Sequence, residues 1–172
     1  MMDSDKTYRN ETLTQAMQAL IDHNYGTGIE LFSKIIDEQP ENHMAIMSRG
    51  TAYLRTDDIG SALEDFNRVI ELDPDNARAR HMRALTYEKM GNNPAALDDI
   101  NRAIDLNPEY GVAYFSRATL NTKMGRTDEA TNDIQMVAHL TNRNIEEFAN
   151  ENNVWRSQHL RLESMMESEL NR

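Results

Sequence analysis

Small and bulky apolar residues return to the same phase every 34 positions, separated by mostly polar stretches. Small side chains recur at Ala16, Gly50, Ala84 and Ala118, and again at Gly28, Ala62, Ala96 and Ala130. Bulky ones recur at Phe32, Phe66, Ile100 and Ile134, then at Ile35, Val69, Ala103 and Val137, with Tyr53 and Tyr87 on the facing segment. Two helices approach closely where small residues meet, and large residues in phase fill the seam, so each period predicts one helical hairpin. Pro40, Pro74 and Pro108 keep the same spacing and end three of the units, with Asn142 in the fourth such place. The units are therefore 9–42, 43–76, 77–110 and 111–144. Gly91 and Gly125, and less tidily Asp57-Asp58 and His23-Asn24, mark the turn inside each hairpin. Helices are expected near 10–22, 26–38, 43–56, 59–71, 77–90, 93–105, 111–124 and 127–140, after a flexible stretch 1–8.

The order small, aromatic, small, aromatic, Ala, Pro in units two and three resembles the tetratricopeptide repeat family, over about four fifths of the chain. Unit one departs with Ala19 for the tyrosine and Gly28 for alanine, and unit four with Asn121 for the tyrosine and no proline. Terminal units of a stack meet a cap or water on one side and are expected to be atypical. The resemblance implies an all-α, right-handed α-solenoid of four antiparallel hairpins with an extra C-terminal helix, and a concave wall made mainly by the first helices.

On that wall the resemblance places Leu13, Met17, Met44, Met47, Thr51, Leu54, Arg78, His81, Leu85, Val112 and Phe115 as a groove for a peptide. Its N-terminal half is oily, and methionines repack around varied ligands. Family members that clamp acidic C-terminal tails of chaperones carry basic and amide side chains where this chain has Leu13, Met17 and Ser48. Only Arg78 suits that role, so the implied ligand is instead an amphipathic helix or an extended segment with apolar anchors.

Charge follows the repeat as well. Arg49, Arg83 and Arg117 share one slot, and Asp65, Asp99 and Asp133 share another; in unit one both change together, to Gln15 and Leu31. Joint presence and joint absence predict an Arg–Asp pair inside each of units two to four. Glu30 with Lys34, Glu64 with Arg68 and Asp98 with Arg102 are spaced as exposed pairs along the second helices.

A net charge of −11 disfavours nucleic acid and anionic membranes as partners. There is no cysteine for a disulfide or a thiolate metal site. No stretch has the run of apolar residues a membrane helix needs. The five histidines are scattered, and no phosphate loop or nucleophile constellation occurs, so neither an enzyme nor a cofactor or metal is expected. The expected location is cytoplasmic.

Beyond residue 144 the repeat stops. A bend is expected at Asn150–Asn153, and then a helix whose stripe of Trp155, His159, Leu162 and Met166 must be covered, either as a cap on the last repeat or in a homodimer. The chain reads as an adaptor or scaffold for a protein or peptide with apolar anchors. The alternatives are a dedicated chaperone for an apolar client segment and a self-assembling scaffold.

Overall fold

In a computed structural model of the chain the backbone is described for residues 2–170, and the side chains for 11–148 and 150. Eight helices follow one another: α1 (Met2–Ile21), α2 (Tyr25–Glu38), α3 (His43–Arg55), α4 (Ile59–Leu72), α5 (Ala77–Lys89), α6 (Asn93–Leu106), α7 (Gly111–Lys123) and α8 (Thr127–Leu170). Each packs on its neighbours in sequence, and α3 also meets α5. The architecture is all-α, a series of four hairpins.

Asparagine and aspartate set most of the helix starts. The side chains of Asn24, Asn42, Asp58, Asn76 and Asn92 each accept the backbone N–H three residues on, satisfying a donor the first turn leaves free. Tyr110, which stands where Asn42 and Asn76 do, makes no such cap. The turn inside each hairpin places one residue in the left-handed region, at His23 (φ 58°), Asp57 (65°), Gly91 (76°) and Gly125 (76°). That is the 34-residue period written in backbone angles.

The seam is as expected for three hairpins. Phe32, Phe66 and Ile100 are buried against Ala16, Gly50 and Ala84. The close approach at Gly50 is tight: a Cβ there would lie 2.8 Å from Phe66 Cε1 and 3.0 Å from Asp65 Cβ. Ile134 breaks the series and is 47% exposed.

Two boundaries differ from the sequence expectation. Helix α1 starts at Met2 and not near residue 10. The segment beyond residue 144 is helical, but it continues α8 without the bend expected at Asn150–Asn153. Both have one physical cause. Neither stretch holds Gly or Pro, asparagines cost a helix only tenths of a kcal/mol each, roughly 0.7 at most, and Asn142 lacks the ring that stops the other second helices. The side chains of Trp155, His159, Leu162 and Met166 lie outside the described residues.

The Arg–Asp pairs are formed in all three units, with Arg83 Nε 2.6 Å from Asp99 Oδ2 and Arg117 Nη2 2.7 Å from Asp133 Oδ1. Each arginine also reaches one unit back: Nη1 of Arg49, Arg83 and Arg117 donates to Ser33, Asn67 and Asn101 at 3.1, 2.9 and 2.8 Å. Two of the exposed pairs expected along the second helices, those of Arg68 and Arg102, are replaced by longer reaches. Arg68 donates to the carbonyl of Pro40, and Arg102 lies 4.0 Å from Asp75, each spanning to the turn that closes the preceding unit.

Candidate functional site

The first helices α3 and α5 bring six of the groove residues together. Met44, Met47, Thr51 and Arg78 line a recess of about 220 Å³ with Ser48 and His43. Thr51 and Arg78 then continue into a trough of about 700 Å³, where Leu54, Leu85 and Met82 supply apolar wall. One strip thus runs across three units.

Basic side chains rim the trough. Arg55, Lys89 and Lys123 occupy the last turn of α3, α5 and α7, where the helix dipole favours a cation, and Arg78 faces them from the start of α5. Lys89 pairs with Asp57 of the preceding turn at 2.8 Å, and Lys123 with Glu88 of the preceding first helix. Arg55 has no such acid to find, because the slots one unit back hold His23 and Leu20. Among the described residues neither Arg55 nor Arg78 has a carboxylate partner. A chain of net charge −11 therefore presents a local cationic patch.

The other expected groove residues divide. Met17 on α1 and Val112 and Phe115 on α7 are exposed, the last at 56%, and lie outside the trough. Leu13 is half-buried against the core of Phe32 and Ile46, on which Met47 of the recess also packs. His81 is corrected: it is 4% exposed and turned into the seam between α5 and α7, so it offers no surface to a ligand. Its Nε2 lies 2.8 Å from Ser116 Oγ and its Nδ1 3.2 Å from the hydroxyl of Tyr110. Burial lowers the His81 pKa, and burial raises that of Tyr110 while the charge of Arg78 opposes it. Met82, one residue after His81, takes the place on the trough wall. No sequence signal separated the two, since a shift of one residue on a helix is enough to exchange inner wall for seam.

Two sequence models of the tetratricopeptide repeat match the chain, over residues 13–77 and 50–121. The chain belongs to the tetratricopeptide repeat family. Solved structures of MamA share the fold of this tetratricopeptide repeat chain. One, a crystal structure of MamA, is 20% identical, covers 84% of this chain and 85% of its own, and superposes with a TM-score of 0.73. Another, MamA from Desulfovibrio magneticus RS-1 from residue 41 to its end, is 19% identical over 78% of this chain and 76% of its own, with a TM-score of 0.71. At such identity the likeness speaks to fold alone. No curated protein matches the chain in sequence. Tetratricopeptide repeats are typically non-enzymatic and generally serve protein–protein interaction. No described helix is long and apolar enough to cross a membrane.

Proposed function

We propose that the chain is an adaptor whose concave strip, from Met44 to Lys123, holds an amphipathic segment of a partner protein. Apolar anchors of the segment rest on Leu54, Met82 and Leu85, and its acidic side chains meet Arg55 and Arg78. The observation that carries this reading is the pair of exposed guanidinium groups, lacking carboxylate partners, that flank an apolar floor. Ionic contacts at a rim steer encounter and select partners, while the floor supplies the apolar burial that holds them.

A photoreactive residue at Thr51, inside the trough, and another at Lys34, on the exposed flank of α2, test the reading. Cross-links from Thr51 to an acidic amphipathic segment are expected, absent from Lys34 and lost in Arg55→Glu with Arg78→Glu at an unchanged melting temperature. Cross-links from Lys34 alone, or from Thr51 undiminished in the double variant, would move the binding face elsewhere.

A further inference from the structure

Four residues after the arginine that recurs in register on α3, α5 and α7 stand Tyr53, Tyr87 and Asn121. The two tyrosines lie beside their arginines, with Arg49 Cζ 5.9 Å and Arg83 Cζ 5.8 Å from the ring centroids. Arg117 has Tyr114 for this contact, at 5.5 Å, from the other direction along α7. The tyrosine slot of the fourth hairpin is thus left to a side chain far smaller than a phenol. A cavity of about 300 Å³ opens there between α6, α7 and the start of α8.

Its lining is specific. Leu97 gives one apolar wall, Asn101 and Asn121 give carboxamides, and Arg126 and Glu129 stand at the mouth. The two cations of the lining, Arg117 and Arg126, are matched by Glu129 and Asp133, so neither an anion nor a cation is favoured. Asn121 is 4% exposed, and among the described residues its side chain has no hydrogen-bond partner. Its carboxamide faces the cavity and is open to it, so it is free to bond a group that enters from outside. The occupant must be neutral, flat enough to lie between Leu97 and Arg117, and able to both donate and accept a hydrogen bond.

We propose that this cavity receives the side chain of a tyrosine carried by a partner protein, in the place that Tyr53 and Tyr87 fill from within the chain in the hairpins before. The ring packs on Leu97 beside Arg117, and the hydroxyl bonds at the mouth to Arg126 and Glu129. The site is independent of the concave strip.

N-acetyl-L-tyrosinamide is the probe, read through the side-chain amide resonances of Asn121 and the methyl resonances of Leu97, the latter alone in the variant that lacks Asn121. Saturable shifts in the millimolar range are expected, at least about fivefold tighter than with N-acetyl-L-phenylalaninamide and absent with N-acetyl-L-alaninamide. Asn121→Tyr fills the slot from within and abolishes the response. Arg126→Ala with Glu129→Ala, both at exposed positions that leave folding intact, brings the tyrosine and phenylalanine probes to near equality. An Asn121 resonance that does not move, an equal response to the alanine probe, or an undiminished tyrosine preference in the double variant would each overturn the assignment.

Discussion

Arg49 grips Asp65 through two parallel hydrogen bonds, Nη2 to Oδ1 at 2.7 Å and Nε to Oδ2 at 2.9 Å. The Asp65 bond raises the arginine's pKa; burial pulls it down, and the charges of Asp65, Tyr53 and Asp37 push it up again. Asp65 itself is almost wholly buried. Removing it strands a half-buried guanidinium, so Asp65→Ala is expected to cost about 3 kcal/mol in chemical denaturation. Arg49→Met together with Asp65→Leu, which removes both charges, should recover most of that loss. A double variant as unstable as the single one would mean that the pair stabilises beyond the cost of desolvating it.

Gly50 predicts a second outcome. Its missing Cβ would collide with Phe66 and Asp65, so Gly50→Ala is expected to lose about 1–3 kcal/mol despite alanine's better helix propensity. Gly26 has nothing within 4 Å of the same construction, and Gly26→Ala should be neutral or gain about 0.5 kcal/mol. Thermal melts of the two variants should move in opposite directions.

The left-handed turn residues give a third. Gly91→Ala and Gly125→Ala each place a Cβ on a backbone at φ 76° and are expected to cost about 1 kcal/mol. His23 already carries that strain, so His23→Gly should gain about 0.5 kcal/mol even after the extra freedom of glycine in the unfolded chain is counted. Urea midpoints check both signs.

His81 makes stability depend on pH. Burial lowers its folded pKa, so as the pH falls through the ordinary value of 6.5 the unfolded chain takes up a proton that the folded chain refuses. Stability is therefore fully present above about pH 7 and declines as the pH drops from there toward the folded pKa. In His81→Gln the decline over that interval should flatten, measured as the urea midpoint between pH 7.5 and 5.5. A slope identical to that of the natural chain would assign the effect to other groups.

The repeat made the hairpins, their seams and the Arg–Asp pairs legible, because each rests on a spacing that can be checked three or four times within one chain. Comparing units also located the turn residues, since His23 and Asp57 stand in register with Gly91 and Gly125. What the sequence could not resolve was finer than one residue of helix rotation. His81 and Met82 are neighbours of similar size, and only the packing of α5 against α7 decides that the histidine enters the seam and the methionine the trough. The run-through of α8 is hidden in the sequence for another reason: Asn150–Asn153 looks like a bend by composition, yet no proline or glycine stands there to stop the helix.

The backward reach of each arginine gives the molecule a direction. Every guanidinium closes on the hairpin before it, as a pawl engages the tooth behind. The leading hairpin carries Gln15 in that slot and grasps nothing, whereas Gln135 of the trailing one continues the row of Ser33, Asn67 and Asn101 as a tooth. A duplicate of the third hairpin spliced in after Asn144, in register with the units before it, would therefore find a catch for its arginine, and the same duplicate spliced ahead of α1 would offer a tooth that no pawl engages.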